Sequence, residues 1–407
     1  MTNKKIIYAD HSATTKVRPE VINAMINILE GDFGNPSSIH GFGRRAKQCL
    51  ETARKDIASI INAKEEQVFF TSGGTESNNA VVFGLVKAFE EGKFKNKRKH
   101  IITSKIEHPS VKEPLEYLQN KGWEINWINV DKEGFINLEE LEKVITKETL
   151  LVSIIHVNNE IGTIQDLKKI SEMCKEKNVL FHTDAVQSFC KIPIDVSQIP
   201  VDFMTLSSHK IYGPKGIGVL YIKASKNLSP LLVGGGQEEQ LRPGTENLPG
   251  IVGFGVAAKL LNSEMKEISK KLRLMQIELM ENLIKIDSVM LTGVNIEKVK
   301  ENILEEKYLY RLPGHVSICI KDIEGENLIL QMDLNGIAVS SGSACSSGAM
   351  EPSHVLVALD TPNNYVHGSL RLTLGRENTF EDIGYITKSL ENIVKRLCNK
   401  SATAKIL

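Results

Sequence analysis

Lys210 stands in Ser207-Ser208-His209-Lys210-Ile211-Tyr212-Gly213-Pro214, directly after the apolar run VDFMTLS. If that run is a buried strand, the lysine is held at its C-terminal end, the edge where α/β sheets place ligands. An amine against apolar walls gives up its proton more readily and can attack an aldehyde to form a Schiff base. Taken alone, the window equally suits a surface lysine in a Gly/Pro turn. Two further strand ends narrow the choice. Asp184 closes VLFHTD, and Gln187 follows shortly after it. A carboxylate there could keep a pyridine nitrogen protonated and make the ring an electron sink, although Asp is also a frequent helix N-cap. Thr71-Ser72-Gly73-Gly74-Thr75-Glu76 joins a strand to a helix. Its small residues let backbone N–H groups approach a phosphate, and the helix dipole adds ~0.3–1 kcal/mol for an anion. A Schiff-base lysine, a ring-nitrogen partner and a phosphate cradle together fit pyridoxal 5'-phosphate.

These residues need a sheet to bring them together. Between about residues 65 and 225 the runs QVFFT, HIITS, LLVSIIHV, VLFHTD, VDFMTLS and GVLYIK read as buried strands. Helical stretches such as SNNAVVFGLVKAFEE and LKKISEMCKEKN separate several of them. The alternation predicts an α/β fold with a mainly parallel sheet. A helix over about 252–286 then leads to VSICI, a helix around NLILQMDL, a strand at GIAVS, a Ser/Gly loop, a strand at SLRLTL and a closing helix from about 380. This second part reads as a smaller α+β layer. The chain is long for one core. We expect a large cofactor-binding domain over 15–258, and a small domain from 1–14 with 259–407.

Fifty acidic residues balance fifty basic ones, which argues against a nucleic-acid partner. The basic run KFKNKRKH lies between a helical and a strand pattern and reads as a solvated loop. No apolar run is long enough for a membrane span, and MTNKKIIYAD lacks a targeting pattern. The six cysteines show neither a CxxC pair nor metal-ligand spacing. No metal and a reducing cytoplasm are therefore expected.

The chain resembles the NifS/IscS-type cysteine desulfurases, within the class V aminotransferases of the aspartate-aminotransferase-like fold type I. The resemblance rests on DHSATT, FGNPSSIHGFG, FTSGGTESNN, EHPSV, HVNNEIGTIQD, FHTDAVQ, SSHKIYGPKGIG, GGGQEEQLRPGTEN, SSGSACSSG, EPSHVL and SLRLTLGR, and so covers nearly the whole sequence. It implies that Lys210 carries the cofactor as a Schiff base and that His108 stacks over the ring and takes part in proton transfer. Asp184 would bind the pyridine nitrogen and Gln187 the ring hydroxyl. Gly74, Thr75, Ser207 and His209 would hold the phosphate. Thr245 would reach the phosphate of a neighbouring subunit, which implies a homodimer. Asn159 would contact ring or substrate, Asn35 the substrate, and Arg371 would grip the substrate carboxylate with its planar fork.

By the same resemblance Cys345 is the sulfur acceptor. It sits in SSGSACSSGAMEP, a run of small and polar residues expected to form an exposed, mobile loop. Cys319, Cys174 and Cys190 read instead as small buried hydrophobes. The implied reaction removes sulfur from L-cysteine, leaving alanine and a persulfide on Cys345, with His108 as the base that activates the thiol. The sulfur would pass to an acceptor protein such as an iron–sulfur scaffold. Selenocysteine lyase, another class V reaction and an inactive assembly scaffold are the alternatives. Ser208 replaces the family's usual glycine, so its hydroxyl is expected to alter the phosphate cup. His11 has no assigned role.

Overall fold

A computed structural model describes residues 6–304, 310–342 and 351–404. Among these the strands are β1 Ile7–Tyr8, β2 Val68–Thr71, β3 His100–Ser104, β4 Glu124–Ile128, β5 Leu151–Ser153, β6 Leu180–Asp184, β7 Phe203–Ser207, β8 Gly218–Ile222, β9 Val289–Leu291, β10 His315–Ile320, β11 Ile337–Ala338 and β12 Ser369–Thr373. Seven form the central sheet in the order β2-β8-β7-β6-β5-β3-β4. Neighbours from β7 to β4 run parallel, and β8 alone is antiparallel to both its partners. The C-terminal ends of β2, β3, β5, β6 and β7 therefore share one edge.

Successive side chains of a strand point to opposite faces. Phe70, Ile102, Val152, Phe181 and Met204 enter one core. Their sequence neighbours Phe69, Ile101, Leu151 and Phe203 enter another. Helices cover both faces, which is why these strands read as unbroken apolar runs. The fold is α/β, as the alternation predicts.

The helix Leu248–Leu283 has 36 residues, a length of roughly 54 Å at 1.5 Å per residue. Its first half packs Ile251, Phe254 and Leu261 into the core shared with Phe70 and Met204. Its second half packs Leu272, Met275 and Leu279 with Val316, Ile318, Leu370 and Leu372. Those residues belong to an antiparallel sheet of order β12-β10-β9. Ile7 and Ala9 join this second core, because β1 pairs in parallel with β11.

The N-terminal segment then crosses to the edge of the large sheet. Ser12 N donates to Thr373 Oγ1 at 2.9 Å. Thr15 donates to His209 O from both its backbone nitrogen, at 2.9 Å, and its hydroxyl, at 2.8 Å. The two packed units thus meet over the end of β7.

A tight turn does the same after β5. Asn158 Oδ1 accepts from Glu160 N and Ile161 N, and Gly162 N donates back to Asn158 O. Gly162 has φ +75°, and a Cβ there would lie 2.7 Å from the His315 ring. Gly162→Ala combines left-handed strain with this clash. It should destabilise the protein by roughly 1–3 kcal/mol, read as a lower urea midpoint. An unchanged midpoint would show that the turn relaxes freely.

Candidate active site

A cavity of about 490 Å³ opens at the shared strand edge, a size typical of small-molecule sites. Gly74 and Thr75 reach it from the turn after β2, His108 from the turn after β3, and Asn159 from the turn after β5. Asp184 and Gln187 reach it from the end of β6, and Ser207, His209 and Lys210 from the end of β7. Arg371 enters from β12 of the other sheet. Two expected residues lie elsewhere in this chain. Asn35 and Thr245 are exposed and do not line the cavity. Asn35 instead accepts a hydrogen bond from Ser37 N. Cys345 lies outside the described residues.

Lys210 Nζ donates to the carbonyl oxygens of Ser12 and Ala13 at 2.6 and 2.7 Å. Asp184 Oδ1 accepts from Val186 N, and Oδ2 accepts from Asn78 Nδ2 at 2.7 Å. Gln187 is fixed at both ends of its amide: Nε2 donates to Ser12 O, and Oε1 accepts from Lys191 Nζ. Burial, with the charges of Lys210 and Arg371, brings the Lys191 amine down to about 7. Burial and the nearby lysines bring His209 down to about 4, so its ring is neutral. Its Nδ1 lies 3.2 Å from Thr14 Oγ1.

Arg371 is held as a fork. One terminal nitrogen donates to Asp10 Oδ1 at 2.9 Å and the other to Asn159 O at 3.2 Å. Ser340 Oγ anchors the second oxygen of Asp10. The buried Nε of Arg371 makes no hydrogen bond within the described residues. The Arg371 side chain still lines the cavity, and a planar cation there suits a carboxylate.

These contacts test whether pyridoxal phosphate suits the site. The helix Gly74–Glu90 begins at the cavity wall, and its first-turn N–H groups lack partners within the helix. A Cβ on Gly74 would stand 3.0 Å from Val186 Cγ2, so a larger residue there would crowd the wall. Amine, carboxylate and anion-binding turn face one space, and the donor set fits the cofactor. The Ser208 Oγ lies against Gly213, and the residue does not line the cavity. His11 is buried, stacks edge-on with Tyr8, and packs against Gly375; it is a packing residue.

Several contributors are absent from the sequence reading: Asp10, Ser12, Ala13, Asn78, Ser110 and Lys191. Asp10, Ser12 and Ala13 fall in DHSATT, Asn78 in FTSGGTESNN and Ser110 in EHPSV, so the segments carried a signal but the individual roles did not. The cysteines behave as expected of buried thiols. Cys174, Cys190 and Cys319 are buried, and burial pushes each thiol up, Cys319 to about 12. Burial also raises Cys49. Among the described residues no group of His, Cys, Asp and Glu side chains could hold a metal, and no helix is long and apolar enough to cross a membrane.

The family model described as aminotransferase class-V matches residues 7–386. A protein named cysteine desulfurase IscS from Dictyoglomus turgidum is 45% identical over 395 residues, covering 97% of this chain and 96% of its own. A solved NifS-like protein is 35% identical with a TM-score of 0.86, covering 96% of this chain and all of that one (100%). A structure of SspA in complex with cysteine is 32% identical with a TM-score of 0.76, covering 92% and 100%.

Glu107 supports the site from beneath. It is buried, and its Oε1 accepts from Ser104 Oγ at 2.5 Å and Ile155 N at 2.9 Å. Burial pushes its carboxyl up to about 8, against the lowering effect of those two bonds. The ordinary value is 4.5. Between these values the folded chain keeps a proton that the unfolded chain releases. The group's stabilising contribution is therefore full below 4.5 and is lost as pH rises through 8. In Glu107→Gln that loss is absent. The variant's stability relative to wild type should rise across this window by about a few kcal/mol, measured by urea denaturation at several pH values. A pH-independent difference would show that Glu107 does not titrate with folding.

Proposed function

Since the chain belongs to the aminotransferase class-V family, we propose that it is a pyridoxal-phosphate-dependent cysteine desulfurase, converting L-cysteine to L-alanine and leaving a persulfide on Cys345. The observation that carries this is one cavity uniting the Lys210 amine, the Asp184 carboxylate and the Arg371 fork. The relative from Dictyoglomus turgidum bears the same activity in its name.

Bound through Lys210, the cofactor supplies an electron sink that loosens bonds at the substrate's α and β carbons. Gly74, Thr75, Ser207 and His209 would hold its phosphate, Asp184 its ring nitrogen and Gln187 its ring hydroxyl. Arg371 binds the carboxylate of cysteine, and Asn159 flanks ring and substrate. The Lys210 amine, once released, moves the α-proton. The Cys345 thiolate attacks the substrate sulfur and forms a sulfur–sulfur bond; the carbon–sulfur bond breaks with its electron pair left on the carbon side, and once that carbon has taken up a proton alanine leaves. Cys49, Cys174, Cys190 and Cys319 are poor substitutes, because burial raises their thiols and favours the protonated form.

We also propose that the two packed units are domains divided near 258/259, and that the enzyme is a cytoplasmic homodimer. Thr245 and Asn35, exposed in one chain, then complete the partner's site. The helix Pro19–Glu30 and the segment after it support this, because Ile22, Ile26, Leu29, Phe33, Ile39 and Phe42 are exposed there. The persulfide passes to an acceptor protein such as an iron–sulfur scaffold.

Wild type mixed with cysteine without reductant should release alanine and carry one extra sulfur on the Cys345 peptide. Cys345→Ser should bind cysteine and change the cofactor spectrum without releasing alanine. Extra sulfur on another cysteine, with Cys345 bare, would sink the acceptor assignment. Lys210→Ala should release no alanine, and alanine release by it would sink the role of Lys210. Arg371→Ala should weaken cysteine binding roughly ten- to a hundredfold, as expected for a lost charge-assisted pair. Unchanged affinity would place the carboxylate elsewhere.

A further inference from the structure

Four hydrogen bonds decide which nitrogen of His108 carries its proton. His108 is the N-cap of the helix Pro109–Gln119, and its Nδ1 accepts from the backbone N–H of Ser110 at 3.1 Å. A backbone N–H only donates, so Nδ1 must offer a lone pair. Ser110 Oγ also lies 2.7 Å from Nδ1. That hydroxyl has one proton to give, and its direction is fixed from the other side. Asn78 Nδ2 lies 2.8 Å from Ser110 Oγ and 2.7 Å from Asp184 Oδ2. Turning the Asn78 amide over would set its oxygen against the Asp184 carboxylate, so the nitrogen faces both partners. Its two hydrogens go to Asp184 and Ser110, and the Ser110 hydroxyl donates onward to Nδ1.

We propose that Asn78 and Ser110 are positioning residues that lock His108 as the neutral Nε2–H tautomer. His108 then meets the substrate as a hydrogen-bond donor and not as the base that takes the thiol proton. Forming an imidazolium would require a proton on Nδ1, opposed by the Ser110 N–H and by the positive end of the helix. A neutral imidazole at a helix N-terminus, donating from its other nitrogen, is a recognised way to polarise a substrate. Of the charged and titratable groups around the ring, Asp184 favours the cation and Lys210 and His354 oppose it, while burial opposes it most.

The inference deepens the proposed desulfurase reading and rests on it for the identity of the substrate. The tautomer itself is measured without turnover. The pyridoxal-phosphate-loaded enzyme is labelled with 15N-histidine, and the His108 signals are assigned by their loss in His108→Asn, which keeps an N-cap side chain. At neutral pH, one nitrogen should be protonated and the other not. The protonated nitrogen should correlate with both ring carbon-bound hydrogens, as Nε2 does. In Ser110→Ala the Nδ1 signal should shift while the proton stays on Nε2, a change that a purely structural role of Ser110 would not produce. A proton on Nδ1 in the wild type, or an imidazolium pattern, overturns the inference, as does an unmoved Nδ1 signal in Ser110→Ala. In turnover, His108→Gln, which keeps a donor, should exceed His108→Ala by up to roughly tenfold. Equal loss in both would return His108 to the role of base. The Nε2–H tautomer in a protein that forms no alanine from cysteine would support the tautomer and overturn only the desulfurase reading.

Discussion

The placement of Lys210 depends on a pair of carbonyl oxygens. Ser12 O and Ala13 O receive its amine at 2.6 and 2.7 Å, and both belong to the far N-terminal end of the chain. That segment is held in turn by pairing with β11, by Thr373 and by His209 O. The sheet that carries the lysine and the segment that receives its amine thus belong to different packed units. Any loosening between the units releases the amine. Carbonyl dipoles orient an amine without the neutralising pull of a carboxylate, which would hold its proton more firmly.

Charge is balanced locally around the cavity: Lys210 and Arg371 bring positive charge, and Asp184 and the Arg371 partner Asp10 bring negative charge. Asp10 is committed to Arg371 and Asp184 to Asn78, so each carboxylate has a fixed direction before substrate enters. Lys191 is buried and titrates low, so it fixes the Gln187 amide at less electrostatic cost than a full cation would impose. Preset dipoles of this kind need little rearrangement when charge develops.

The unbroken apolar strands and the residues at their ends were legible in the sequence, because buried parallel strands leave runs and their ends leave polar exceptions. Lys210, Asp184 and Gly74 were found that way. β4 was missed because EINWI is only partly buried. The reversal of β8 left no trace, because GVLYI is buried throughout whichever way it runs. Ser12 and Ala13 act through backbone oxygens that every residue type possesses. Asn78 and Lys191 matter only through partners brought close by the fold. The direction of the Ser208 hydroxyl likewise depends on Gly213 standing beside it, and no residue-by-residue reading contains that.

Thiol reactivity is divided by burial, and this bears on why sulfur should leave the core at all. In an apolar setting a thiolate is costly, so the buried thiols stay protonated and inert. A persulfide formed there would also be out of reach of any second protein. A thiol that is to act as a thiolate is better served where solvent lowers the cost of the anion. Cys345 lies outside the described residues, but both flanks of its segment meet one buried carboxyl. Ser353 Oγ donates to Glu160 Oε2, and Gly342 packs so closely on Glu160 that a Cβ would meet it. The next residue back, Asn159, gives its carbonyl to Arg371. A single turn thus ties both flanks of that segment to the Arg371 side chain.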